Sequence, residues 1–375
     1  MQPREIVEAR VICALLAAGW SWDMESIREP LTAGIAALGR WSADYQKFHP
    51  VAALAEPTLA QYDGDHERAL ALFERYVTAG DPWLRAMGAL QRVSYASMLG
   101  RLDEAEDDCR AALGQFREFG EKWGTAIALA QLSEFTELRA DHAASIAALE
   151  EAASIGNELG AWGDLCYVDA MLAVIRARTG DVARGRADLD RAERTAEDVG
   201  NKGDIRQWVA FLGAEMAWRE GDRAGVARCC TAVLAMIERT QAPWWNSLRG
   251  QIKARLAMVA LGDGDTPRCR ELLAEALRAV TQWADHAALA GVLDALAAFA
   301  LRRGQDDDAE LAARLLGAAH SVRGAFNESS LDAPAARAAA RRALGEPAFG
   351  AAYQRGRELG YATALSSAGD ILAVS

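Results

Sequence analysis

Apolar residues recur along this chain at helical spacing for stretches of about 17 residues, and a polar turn ends each stretch. In "WGTAIALAQLSEFTELR", which starts at Trp123, the apolar positions are Ile127, Ala130, Leu132, Phe135 and Leu138. No run alternates apolar and polar in the way a half-buried strand does. The pattern predicts an all-α protein.

The turns are periodic. One set falls at Gly64, Gly100, Ala140, Gly180, Gly221, Gly264 and Gly304, with spacings of 36, 40, 40, 41, 43 and 40 residues. A second set falls midway, at Gly80, Gly120, Gly160 and Gly200. Each unit therefore holds two helices and two turns. Glycine at the first turn suits a left-handed helix end, and the Asp that often follows suits an N-cap for the next helix. A helix–turn–helix unit at this period predicts an α-solenoid, in which each unit buries its apolar faces only against its neighbours.

Two further slots refine the unit. Five residues after the turn a small side chain lets the paired helices close, and Ala69, Ala105, Gly185 and Ala309 fill that slot. Ser145 nearly fits there, and Val226 and Cys269 fit loosely. Seven or eight residues before the turn, Leu132–Ser133, Leu172–Ala173, Leu256–Ala257 and Leu296–Ala297 place Leu before a small residue. The chain thus resembles tetratricopeptide (TPR) repeats of a long variety. The expected fold is a right-handed α-solenoid of about eight such repeats over residues 1–325, with capping helices over residues 326–375 after a break at "FNESSLDAP". Trp123 and Trp162 open successive units and are expected to wedge at the seams; Trp83 and Trp283 hold similar positions, and the pair Trp244 and Trp245 follows Pro243 at another such start. Pro30 is the one proline that fits neither a helix start nor a turn.

Composition narrows the function classes. With 51% apolar and 25% charged residues the chain can build a continuous core. A net charge of −12 argues against a duplex nucleic-acid surface, so no direct nucleic-acid contact is expected. The 37 Arg against 4 Lys read as codon bias. Six Cys form no CxxC and fall in apolar helical patterns, as reduced core thiols do. The apolar run at residues 11–18 is too short to cross a bilayer. A soluble, cytoplasmic location without membrane contact is expected.

The search for chemistry returns little. "DGDHERALALFE" carries acids at positions 1, 3, 5 and 12 of a calcium loop, but Arg68 stands where glycine is required, and turn plus helix explains the stretch better. Asp306, Asp307 and Asp308 read as favourable charge at a helix start. The five His have no partners at helical spacing, and no HExxH or GxSxG occurs. Arg337, Arg341 and Arg342 read as solvated charge on one helix. No catalytic residue, metal site or cofactor is predicted.

What remains is the concave groove, lined in TPR arrays by the first helix of each pair. Counted back from each turn, its slots hold Glu134, Glu137, Tyr167, Arg178, Trp208, Phe211, Glu215, Trp218, Arg219 and Gln251. Aromatic anchors beside charges suit a peptide or helical segment. Trp218 fits groove or core equally; Trp208 and Phe211 fit inter-repeat core better.

One resemblance is more specific. Residues 312–360 contain "ARLLGAAHSVRG" and "ALGEPAFGAAYQRGRE". They resemble the C-terminal tails of large actinobacterial transcription regulators, the AfsR-like members of the SARP group and related LuxR-type ATPase regulators. Leu315, Leu316, Gly317, Ala318, Ala319 and Arg323 match the first tail segment. Leu344, Gly345, Glu346, Ala348, Phe349, Gly356 and Arg357 match the second. Upstream, "FREFGEKWGTAIALAQLSEF" resembles a phrase in their repeats. The resemblance implies a non-catalytic binding or sensor array acting on a protein segment, the regulator's own ATPase domain included. The alternative it implies is a small-molecule inducer site in the same groove. This sequence has no GxxxxGK[ST] loop and no winged helix, so no ATP- or DNA-binding residue carries over. It is expected to be either the sensor part of such a regulator or a freestanding adaptor.

Overall fold

The computed structural model describes residues 4–21, 24–41, 47–198, 205–238, 245–282, 285–303, 305 and 307–373. These residues hold helices and no strand. In chain order the helices are α1 (Arg4–Ser21), α2 (Met24–Gly39), the single turn α3 (Pro50–Ala53), α4 (Ala55–Tyr62), α5 (His66–Val77), α6 (Pro82–Met98) and α7 (Leu102–Glu118). There follow α8 (Lys122–Leu138), α9 (His142–Leu159), α10 (Trp162–Arg178), α11 (Val182–Asp198), α12 (Ile205–Glu220) and α13 (Arg223–Ile237). The chain ends with α14 (Trp245–Gly262), α15 (Thr266–Thr281), α16 (His286–Arg303), α17 (Asp308–Arg323), α18 (Asp332–Leu344), α19 (Glu346–Arg357) and α20 (Tyr361–Ala373). Antiparallel pairs from α1/α2 and α4/α5 to α16/α17 stack into a solenoid, with α18, α19 and α20 packed on α15, α16 and α17. Pro30 sits inside α2.

The hairpin turns follow the expected chemistry. Gly64, Gly100, Gly180, Gly221 and Gly264 all have positive φ, and so does Ala140, at 59°. Gly120 and Gly160, between units, are left-handed as well, whereas Gly80 is not. The next helix is then capped by an Asp carboxylate. Asp65, Asp141, Asp222 and Asp265 each accept the backbone N–H three residues on. The turns expected at Gly200 and Gly304 lie outside the described residues. So do Asp306, Trp244, Trp283 and the side chain of Trp162.

The closing slots explain the pairing. Ser133, Ala173, Ala257 and Ala297 are wholly buried on the first helices, opposite wholly buried Ala69, Ala105, Ser145, Val226 and Cys269 on the second. Ser145 donates from its hydroxyl to the Ser133 carbonyl at 3.1 Å, and a Cβ on Gly185 would press on the Ala173 carbonyl. Small residues here let backbone approach backbone. Ala309 departs from the pattern. Its helix begins late, at an Asp307 cap, so Asp308 is buried on Arg303 and Ala309 is only half-buried.

The two helices of a pair carry different patterns. The outer helices α5, α7, α11 and α15 are one-sided, whereas α10, α12 and α14 are apolar around most of their circumference. The inner helices are buried against partners on both flanks, which leaves only a strip of each facing the concave side.

Two expectations need correction. Trp123 is 39% exposed and so does not wedge between units. It opens α8 at a point where the chain leaves the surface turn at Gly120, ahead of the packed part of the helix. Trp83 is half-buried against the neighbouring core, and Trp245 is the fully packed member of its pair. Cys13 is exposed rather than a core thiol, while Cys109, Cys166, Cys230 and Cys269 are buried.

Candidate functional site

The period of the solenoid brings equivalent side chains to one inner wall. Glu134, Val174, Glu215 and Arg255 follow one another at 40, 41 and 40 residues, near the ends of α8, α10, α12 and α14. Glu137, Arg178 and Arg219 form a second row at 41 and 41 residues, one helical turn further on. Both rows face a channel that holds two cavities of about 310 and 270 Å³. Glu134, Glu137 and Arg178 line the first, with an apolar wall that includes Phe135, Met171 and Leu212. Arg178, Phe211, Glu215, Gln251 and Arg255 line the second.

The channel is strongly charged. Arg255 lies between Glu215 and Asp332, at 2.7 and 2.6 Å, and over the Trp218 ring at 5.1 Å. Burial opposes its charge, but the two carboxylates outweigh burial and hold its pKa above the ordinary value. Arg178 pairs with Glu137, whose other oxygen meets His142 Nδ1 at 2.9 Å. Burial pulls the Arg178 guanidinium down to about 9, and neighbouring Arg219 acts in the same direction. Burial lowers Arg219 too. Glu134 is open to water in the channel yet enclosed by protein, and desolvation pushes its carboxyl up to about 7 although the Tyr167 hydroxyl bonds to it. Trp218 Nε1 and the Nε atoms of Arg178 and Arg219 are buried without a hydrogen-bond partner among the described residues.

Part of this channel is filled by the chain itself. The connection from α17 to α18, read from sequence as a break before the cap, runs along the inner wall. Glu328 donates its backbone N–H to the Leu138 carbonyl at 3.0 Å. Arg178 donates to Ser329 Oγ at 2.7 Å, and Arg219 to the Ser329 carbonyl at 2.5 Å. Asp332 ends the stretch on Arg255. The stretch lines both cavities, the first with Ser329 and the second with Ser330 and Asp332, and Asn327, Arg178 and Arg323 line both.

No protein-family model and no curated protein matches the chain. Among solved structures, a Rap protein complexed with competence and sporulation factor is similar over 99% of both chains, at 13% identity and a TM-score of 0.69. Aspartyl phosphate phosphatase F from Bacillus subtilis is similar over 96% of this chain and 95% of its own, at 10% identity and a TM-score of 0.50. Cut9–Hcn1, an APC/C hetero-tetramer, is similar over 89% of this chain but 55% of its own, at 14% identity and 0.52. The fold is a TPR-like helical-repeat solenoid. At these identities the likeness concerns fold alone.

Of the candidate groove residues, Glu134, Glu137, Arg178, Phe211, Glu215 and Gln251 line the cavities, and Phe211 does so while 9% exposed. Tyr167 reaches the channel through Glu134, and Arg219 through Ser329. Trp218 packs beneath Arg255. Trp208 stands edge-on to Phe211 at 6.3 Å and joins the core of α12–α14. Arg255, Asp294, Arg323, Ser329 and Asp332 were missed. Arg255 was readable, being the Glu134 and Glu215 slot one period on. Asp294 lies on α16, 39 residues beyond Arg255 and so close to the same period, whereas Arg323, Ser329 and Asp332 belong to the C-terminal elements, whose fold into the channel no period announces. The described residues hold no His, Cys, Asp and Glu cluster suited to a metal ion, and no helix among them is long and apolar enough to cross a membrane.

Proposed function

We propose that this chain is a non-catalytic binding module whose inner channel takes a segment of a partner protein. The observation that carries the reading is the double row of charged side chains, Glu134, Glu215 and Arg255 beside Glu137, Arg178 and Arg219, on the concave wall of a TPR-like solenoid. Desolvated guanidinium groups, those of Arg178 and Arg219 each with an unfilled Nε donor and that of Arg255 over the Trp218 ring, form the kind of anchor that peptide recognition uses. The Rap neighbour, solved with competence and sporulation factor, supports a binding role for this architecture. The tail resemblance supports the regulatory context. In that context the chain is the sensor array of an AfsR-like regulator, and its partner is another segment of the same regulator or a separate protein.

Filling the channel tests this. Ser97→Trp and Gln251→Trp each place bulk in one cavity without removing an ion pair. Each is expected to abolish partner capture from an extract of the native organism, with helix content unchanged by circular dichroism. Capture that survives both substitutions sinks the reading. An immunoblot of the same extract addresses the context. A band far above 40.3 kDa supports a larger regulator, and a band near that mass supports a freestanding adaptor.

A second reading follows from the cavity of about 310 Å³, mostly apolar with Glu134 and Arg178 at its wall, which suits a small-molecule effector. A compound that raises Tm at micromolar concentration in the wild type but not in Ser97→Trp supports that reading.

A further inference from the structure

The segment over residues 327–332 is held more firmly than a connection between helices requires. Within six residues it gives a backbone N–H to α8, a hydroxyl and a carbonyl to arginines of α10 and α12, and a carboxylate to an arginine of α14. Glu328 is in addition clamped by Arg337 of α18 through both oxygens, at 2.8 and 2.6 Å. Ser329 is 8% exposed. The contacts combine main-chain hydrogen bonds with charged side-chain anchors, as peptides bound in grooves do, although the stretch is bent: Asn327 Oδ1 accepts from the Ser330 N–H, and Ser330 Oγ from the Asp332 and Ala333 N–H groups.

The segment does not use the site up. Two cavities remain beside it. The Nε donors of Arg178 and Arg219 stay unfilled beside it, and so does Trp218 Nε1. Three guanidinium groups converge on the stretch; Glu137 and Glu215 of the wall pair with Arg178 and Arg255, and the resident adds one carboxylate, that of Asp332, while Arg219 takes the Ser329 carbonyl. The wall favours a ligand that keeps the carboxylate and the backbone contacts and brings more acceptors.

Resting on the reading of the channel as a peptide site, we propose that residues 327–332 act as a resident pseudo-ligand. The ligand of the channel is then an acidic peptide that displaces this segment and takes Arg255 from Asp332. The segment itself, "NESSLD", is the chemical template of what it excludes: acidic, hydroxyl-bearing and free of basic residues. Because the same segment leads directly into α18, displacement pulls on the capping helices, which turns occupancy of the channel into movement at the C-terminal end.

The test uses the full chain and a fluorescein-labelled peptide, AFNESSLDAP, copied from residues 325–334. Anisotropy titrations compare the wild type with Asp332→Asn, which loosens the resident at Arg255, and with Ser329→Ala, which removes the bond to Arg178. Both variants are expected to bind the peptide at least about tenfold more tightly than the wild type, because a competing intramolecular occupant lowers apparent affinity. Adding Arg255→Ala to Asp332→Asn is expected to cancel the gain. The neutral peptide AFNQSSLNAP is expected to bind about tenfold more weakly than the acidic one. In hydrogen exchange, the Glu328 amide is expected to lose its protection once peptide is bound.

Equal affinities for the wild type and both variants overturn the proposal, as does equal binding of the acidic and neutral peptides. A Glu328 amide still protected at saturating peptide overturns displacement. If protection changes then appear on α8, α10 and α12, the channel remains a peptide site. Failure of that wider reading looks different: partner capture persists in the blocked-channel variants.

Discussion

Gly100 and Gly180 occupy the same turn position two units apart, and both are left-handed, with φ of 72° and 94°. At Gly180 a Cβ would meet open space. At Gly100 it would fall on the Val322 carbonyl, well inside van der Waals contact. Conformational strain alone is tolerated in this array, as Ala140 shows at φ 59°. Gly180→Ala is therefore expected to cost about 1 kcal/mol by chemical denaturation. Gly100→Ala is expected to cost about 2–4 kcal/mol, since strain and a backbone clash add. Glu134 gives a pH prediction at the same scale. Its carboxyl is raised to about 7 in the fold, so its protonated form favours the native state. That contribution is complete below the unfolded value and is lost as pH rises toward 7. Glu134→Gln should flatten stability between pH 5 and 8. At pH 8 it should add on the order of 1 kcal/mol, after allowance for the water that reaches the carboxylate. A pH series of urea melts reads this, and an unchanged slope would refute it.

At the scale of elements, the tail segments around Gly317 and Gly356 describe a helix crossing. A Cβ on Gly317 of α17 would fall on the Tyr353 carbonyl, and one on Gly356 of α19 on the Arg314 carbonyl. The two glycines face each other's backbones and let α17 and α19 touch. Phe349 is buried nearby with Arg341 over its ring at 4.9 Å. Gly317→Ala and Gly356→Ala are each expected to cost about 2–4 kcal/mol, with the double variant costing clearly less than the sum because one shift of the crossing relieves both clashes. Additive losses in a double-mutant cycle would mean the two glycines serve separate contacts. On the basic helix α18, Arg337 pairs with Glu328 and Arg341 with Glu346, while Arg342 is exposed.

Across the whole molecule, the array closes on itself. The Gly100 turn between α6 and α7 meets Val322 and Gly324 at the end of α17, and Ala325 packs on the core of α6–α8. His286, next to that contact, stacks on Tyr361 at 4.3 Å. Closure delivers residues 327–332 into the channel. It also buries Arg323 against Asp294, at 2.6 Å with both side chains below 10% exposed. Burial raises the Asp294 carboxyl even so. Removing one member strands the other charge, so Arg323→Ala is expected to cost about 3–5 kcal/mol, and adding Asp294→Ala should recover part of the loss. Recovery of nothing in thermal or urea melts would show that the pair is not what the loss measures.

Much of this was legible along the chain. Turn glycines at Gly64, Gly100, Gly180, Gly221 and Gly264, the Asp caps and the small residues at Ser133, Ala173 and Ala257 impose local backbone geometry, which a sequence states directly. The wall residues were legible to the degree that they repeat, which is why Glu134, Glu215, Arg178 and Arg219 could be named and why Arg255 should have been. Trp123 misled because an aromatic at a helix start carries no information on whether a neighbour covers it. The occupied channel was not legible at all. It depends on the cumulative rotation of the stacked pairs, which brings the end of α17 round to the Gly100 turn. Local repetition determined the units and their inner face. Only the summed geometry of many units decided that the chain's own "NESSLD" lies in the groove it forms.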